Sequence, residues 1–294
     1  MVVNLCAFII VRLAKMIPVM KASNILYLTL LALLPLSAFG YGPQVNDEYT
    51  KHIFTDSLNN TMPYRMLTPG KIEPNKSYPL VLFLHGSGER GNDNEKQLTY
   101  GASIFSNPVN ADKYPAFVVF PQCKERAWTD KIDERTFMPG APTPPESKSE
   151  EMVMALIDNL IKNNPIDKNR IYIVGISMGG IATYDLVCRY PQFFTAAIPI
   201  CGAVNPERLY SAKDVKFMIF HGEDDEEIPS ICSREAYKAL NSAGADVDYI
   251  EFAGIGHDCW SSAFNYPTFL PWLFSQKKED IPFEQSNNLT YIDE

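Results

Sequence analysis

The 294-residue sequence predicts an α/β fold, a mostly parallel central sheet with helices on both faces. Three observations carry that expectation. Short runs such as Leu80–Leu84 (LVLFL) and Lys216–Phe220 (KFMIF) are apolar at nearly every position, as strands covered on both faces must be. Between them lie amphipathic stretches of helical length, and this alternation is the pattern of a parallel sheet. The composition, 46% hydrophobic and 21% charged, is that of a globular chain able to build a large core.

Taken in order, Lys51–Phe54 and Pro63–Leu67 read as an antiparallel pair ahead of the parallel set. Leu80–Leu84 and Ala116–Phe120 are strands. Ser149–Asn163 is a helix with Met152, Leu156, Ile157, Leu160 and Ile161 on one face, and Ser147 and Glu150 are spaced as its capping box. Ile171–Val174 is a strand and Gly179–Arg189 a helix. Ala196–Ile200 and Lys216–Phe220 are strands. Ser230–Ser242 is a helix closed by Gly244, and Val247–Phe252 is the last strand. The Pro-rich stretch at 137–146 is a loop, too short to separate domains. In such a sheet a site forms at the carboxyl ends of the strands.

The first 40 residues differ from the rest, holding Arg12, Lys15 and Lys21 but no Asp or Glu. Met20-Lys21, the apolar run Ile25–Leu36 and Ser37-Ala38-Phe39-Gly40 have the order of a signal peptide over 20–40, with 1–19 an upstream extension. The alternative is an uncleaved N-terminal anchor. On the first reading 41–294 is a single domain, secreted or periplasmic, with no stable membrane span in the mature protein. The formal net charge of −9 argues against nucleic acid or an anionic membrane as the main partner. Six cysteines include no C-x-x-C pair, against zinc or dithiol redox chemistry. Without the leader five remain, and one bridge among Cys123, Cys201 and Cys259 is open, with no pairing assigned.

Gly175-Ile176-Ser177-Met178-Gly179 fits G-x-S-x-G, following one expected strand and opening an expected helix. That context makes Ser177 a nucleophile presented on a sharp turn in an α/β-hydrolase fold. A serine hydroxyl needs a base. Of four histidines, His257 alone follows Ser177 with room for an acid between them, the chain order of this fold. His52 precedes the site-bearing half, and His85 and His221 each end a strand where the ring supports a loop. The orienting acid comes from Glu223, Asp224, Asp225, Glu226 and Glu227, with Asp225 the first choice and Asp224 the next. The glycine-rich turn at 85–91 supplies one backbone donor to an oxyanion, from Ser87 or else Gly88, and Met178 supplies the second. Trp128 and Trp260 are candidates to stack on a sugar or an aromatic acyl group, with ordinary packing the competing role of each.

FLHGSGERG (83–91), FPQC (120–123), RIYIVGISMGG (170–180), AAIPICGA (196–203), HGEDDEEIP (221–229) and GIGHDCW (254–260) together resemble α/β-hydrolase esterases of the dienelactone-hydrolase and carbohydrate esterase family 1 type. These include secreted bacterial phospholipase/carboxylesterases and prolyl-oligopeptidase-like hydrolases. The resemblance spans about residues 50 to 277 and implies Ser177 as nucleophile, Asp225 as acid and His257 as base. It implies ester hydrolysis through an acyl-enzyme, with no metal or cofactor, on short-chain acyl, acetyl or feruloyl esters of small molecules or polysaccharide. The loop 124–148 is individual, so substrate choice is open. A serine peptidase of prolyl-oligopeptidase-like type is the alternative, although no propeller repeat is present. A non-catalytic carbohydrate-binding protein on a hydrolase scaffold is another, although serine, acid and histidine are all retained.

Overall fold

The computed structural model describes residues 48–124, 127–129 and 134–279. The expected leader, 1–40, lies outside the described residues. Eight strands are seen in chain order: β1 (Thr50–Thr55), β2 (Thr61–Leu67), β3 (Tyr78–Leu84), β4 (Phe117–Pro121), β5 (Ile166–Ile176), β6 (Ala196–Ile200), β7 (Lys216–Gly222) and β8 (Val247–Phe252). Among the described residues seven α-helices accompany them: α1 (Ala102–Ser106), α2 (Pro108–Lys113), α3 (Lys148–Asn163), α4 (Met178–Arg189), α5 (Ile231–Ser242), α6 (Trp260–Phe264) and α7 (Phe269–Ser275).

All eight strands join one sheet in the order β1-β2-β4-β3-β5-β6-β7-β8. β1 pairs antiparallel with β2, and β2 with β4. From β4 to β8 every neighbouring pair is parallel. This is the α/β-hydrolase arrangement. The observed β5 begins at Ile166, earlier than the apolar run suggests, because Ile166 pairs with Tyr78 ahead of a register shift.

The strands alternate between two cores with the period of two that a pleat imposes. Leu80, Leu82, Leu84, Ile171, Ile173, Phe217 and Ile219 face one layer, with Leu156 and Leu160 of α3, Leu186 of α4 and Leu240 of α5. Val81, Phe83, Tyr172, Val174, Ile198 and Phe220 face the other, with Phe105 of α1 and Phe269 and Leu273 of α7. Burying a side chain of this size contributes roughly 1.5–3 kcal/mol, so the two faces together fix the register of the site-bearing strand ends.

The helix starts and stops follow local chemistry. Ser147 Oγ accepts the Glu150 N–H at 3.0 Å and Glu150 Oε2 accepts the Ser147 N–H at 3.0 Å, a complete capping box for α3. A cap of this kind contributes about 1 kcal/mol. Past α5 the chain turns at Gly244, at φ 78°. Among the described residues no helix is long and apolar enough to cross a membrane.

Candidate active site

Ser177 stands between the end of β5 and the start of α4 at φ 52°, ψ −118°. A side chain at positive φ here costs of order 1–3 kcal/mol and persists only where the surroundings over-determine it. They do so at close quarters. The Ser177 N–H donates to the Ile200 carbonyl at 2.8 Å, and the Ser177 carbonyl accepts from Ile181 N–H at 3.0 Å. A Cβ on Gly179 would lie 2.0 Å from the Leu84 carbonyl oxygen, and one on Gly175 would lie 2.1 Å from the Gly179 oxygen. The two flanking glycines therefore let α4 press onto β3 and β5, which leaves the serine at the tip of the turn.

Ser177 Oγ lies 2.7 Å from His257 Nε2, and His257 Nδ1 lies 2.7 Å from Asp225 Oδ2. A carboxylate only accepts, so Nδ1 carries the proton and Nε2 is left to accept the Ser177 hydroxyl. Of the five carboxyl residues from Glu223 to Glu227, Asp225 alone is buried. Its Oδ1 accepts the N–H groups of Glu227 at 2.9 Å and Ile228 at 2.8 Å, so the loop turns around it. Asp224 is exposed, which removes it as the alternative partner. The two loops meet where a Cβ on Gly222 would lie 2.2 Å from the Gly256 oxygen.

A second ring braces the carboxylate. His221, at the end of β7, places Nε2 3.2 Å from Asp225 Oδ2 and 2.8 Å from the Ile228 carbonyl, with Nδ1 2.7 Å from Ser233 Oγ. Burial lowers its pKa, so the ring is neutral at pH 7. Nε2–H then donates to Ile228 while Ser233 donates to Nδ1. Glu227 Oε2 comes within 3.6 Å of His257 Nε2 from the solvent side.

The glycine-rich turn after β3 sits against the serine, since a Cβ on Gly86 would lie 3.7 Å from Ser177 Cβ. Ser87 follows it, exposed, and opens a short 3-10 turn, Ser87–Glu89. Met178 is the first residue of α4, so its N–H is among the donors with no acceptor inside the helix. His85 holds the turn from below. Its Nε2 accepts the Cys123 N–H at 3.0 Å, its Nδ1–H donates to the Gly86 carbonyl at 2.6 Å, and burial brings its pKa down to about 4. Glu89 is buried beside Gly86, and burial raises its carboxyl pKa.

The tryptophans part company. Trp128 is fully buried, donates Nε1–H to the His85 carbonyl at 3.0 Å and packs its ring on the His85 ring. It offers no face to a ligand, so its expected stacking role is corrected: it supports the glycine-rich turn. The chain around it is tied down as well. Ser147 Oγ donates to the Trp128 carbonyl, and Thr129 Oγ1 donates to Glu150 at 2.8 Å. Trp260 is half-buried and meets His257 edge-on at 5.6 Å between ring centres. Its other aromatic neighbour among the described residues is the exposed Tyr100, at 5.3 Å. Tyr100 had no signal in the sequence, whereas His221 was visible as a strand-ending histidine.

The phospholipase/carboxylesterase family profile matches residues 71–266, more than half of the chain and all three residues of the Ser–His–Asp chain of contacts. The chain belongs to this family. It is 28% identical over 203 residues to a probable carboxylesterase SOBER1-like of Arabidopsis thaliana, covering 63% of this chain and 75% of that protein. It is 32% identical over 124 residues to poly(3-hydroxyalkanoate) depolymerase C of Paucimonas lemoignei, covering 42% of this chain and 28% of that protein. Among solved structures, a thermostable esterase superposes with a TM-score of 0.73 at 34% identity, over 79% of this chain and 64% of that one. The chain therefore spans less than two thirds of that esterase and under a third of the depolymerase.

Chemically, the arrangement places a hydroxyl within hydrogen-bond reach of an imidazole and that imidazole on a buried carboxylate, the set of groups that nucleophilic catalysis by a serine needs. Among the described residues, the only His, Cys, Asp and Glu side chains placed to hold a metal are Cys201, Asp225 and His257, with ligand atoms within 4.8 Å of one another. Two of these already bond to each other, and Cys201 faces Cys259.

Proposed function

We propose that this protein hydrolyses carboxylic esters with Ser177 as nucleophile, His257 as base and acid, and Asp225 as the group that orients the imidazole. One observation carries the reading: the continuous contact from Ser177 Oγ through His257 to Asp225, with 2.7 Å at each step, at the tip of a strained strand-to-helix turn. His257 takes the hydroxyl proton as Ser177 attacks the ester carbonyl. The N–H groups of Met178 and Ser87 receive the oxyanion. His257 returns the proton to the leaving alcohol, and water clears the acyl-enzyme by the same route in reverse.

The site's edge supports a reading of the substrate class. Tyr100 and Trp260 form an aromatic wall beside His257, suited to an aromatic acyl group or a sugar ring. Short-chain acyl, acetyl or feruloyl esters on polysaccharide fit that wall and the likeness to carbohydrate esterase family 1 enzymes. Such a substrate fits a secreted or periplasmic enzyme, in line with the basic and then apolar leader.

Turnover of p-nitrophenyl acetate, butyrate and octanoate and of methyl ferulate by the purified protein, beside Ser177→Ala, tests the reading. Loss of the serine is expected to lower kcat by about 10⁴-fold or more. Absence of serine-dependent turnover on every ester would reject ester hydrolysis and direct the assay to peptides.

A further inference from the structure

Two cysteines lie behind the catalytic histidine. Cys201 is the first residue after β6, and Cys259 is two residues beyond His257, at the start of α6. Both are fully buried, and their Sγ atoms are 2.7 Å apart. That separation is well inside ordinary contact between two unbonded sulfurs. Cys201 is itself fixed at φ 50°, with its N–H donating to the Phe220 carbonyl at 2.9 Å. The residue before it, Ile200, grips the Ser177 N–H. A link between these sulfurs would thus join the strand end that holds the serine to the loop that holds the histidine.

We propose that Cys201 and Cys259 form a disulfide in the active protein and that this bond clamps the His257 loop in place. The oxidant is an external disulfide of the oxidised glutathione or dithiol-oxidoreductase class. One thiol loses its proton and attacks it, forming a mixed disulfide and releasing one external thiol. The second thiolate displaces the other external thiol, and the Cys201–Cys259 bond remains. Two cysteine thiols and one external disulfide become one cysteine disulfide and two external thiols. Both sulfurs are fully buried in the folded protein, out of reach of an external disulfide, and the neighbouring Cys201 sulfur together with burial also raises the Cys259 pKa. The bond accordingly forms while the chain is still folding.

Cys123 is placed otherwise, with Sγ 3.3 Å from the Ala127 carbonyl and 3.4 Å from Ser149 Oγ. Cys188 and Cys232 are half-buried elsewhere on the fold.

The test is peptide mapping of protein folded in a glutathione redox buffer, denatured and alkylated without reduction. The Cys201 and Cys259 peptides are expected linked and unalkylated, and recovery of both as alkylated peptides overturns the proposal. The clamp is then read in two ways. Cys259→Ala, or dithiothreitol on the wild type, is expected to lower the melting temperature by roughly 5–15 °C, a readout independent of the ester-hydrolase reading. The kcat, which rests on that reading, is expected to fall about tenfold with little change in KM. A linked pair whose reduction leaves both melting temperature and kcat unchanged overturns the clamp.

Discussion

Asp225 shows how much a single buried carboxylate is asked to do. It takes two backbone N–H groups on one oxygen and faces His257 and His221 with the other. Each contact fixes a proton: Nδ1–H on His257 leaves Nε2 free to accept from Ser177. Replacing Asp225 with Asn offers the imidazole an N–H instead of a lone pair. The ring then settles with its proton on Nε2, facing the serine, where it cannot act as a base. Asp225→Asn is expected to lower kcat for an ester substrate by about 10⁴-fold. A variant within tenfold of wild type would assign the orienting role elsewhere.

At the scale of elements, the start of α3 is joined to α4 by carboxyl groups. Glu150 completes the α3 capping box and is fully buried beside Asp185 of α4, which pairs with Arg189 at 2.6 Å and with Arg208. Burial, and then the Asp185 carboxylate, hold the Glu150 pKa well above the ordinary carboxylate range. The folded protein therefore keeps a proton that the unfolded chain releases, between about 4.5 and about 8. Stability from this group is present below that window and is lost as pH rises through it. Glu150→Gln, which holds the neutral form permanently, is expected to flatten the fall in melting temperature between pH 5 and pH 8, two values that bracket most of that window. Equal slopes for wild type and variant would show that Glu150 titrates alike in both states.

Over the whole molecule, β3, β6 and β7 are buried along nearly their full length, while β1 and β8 are partly exposed edges. Amide hydrogen exchange is expected to be slowest in β3, β6 and β7 and fastest in β1 and β8. Early exchange of β6 would contradict the two-core description. Much of this architecture was legible in the sequence because it is local: apolar runs, a capping box at Ser147 and Glu150, and glycines around Ser177. Chain order was enough to bring out His257, and the acidic loop narrowed the acid to five residues. What escaped depends on distant packing. Nothing near Trp128 says that its indole lies under His85, 43 residues away. Nothing near Tyr100 places it against Trp260. The early start of β5 depends on Tyr78 of another strand.

The ties around Trp128 have a consequence for engineering. Trp128 and Thr129 are bonded to Ser147 and Glu150, so the chain departs from and returns to one anchored point beside the glycine-rich turn. The described part of the interval carries further ties: the Gly140 N–H donates to Glu207 at 2.8 Å, the Arg189 guanidinium to the Pro144 carbonyl at 2.5 Å and the Tyr190 hydroxyl to Glu146 at 2.5 Å. A library that keeps those ties and varies exposed side chains such as Met138 would leave Ser177 and His257 untouched, a way to alter this surface without disturbing the residues proposed for catalysis.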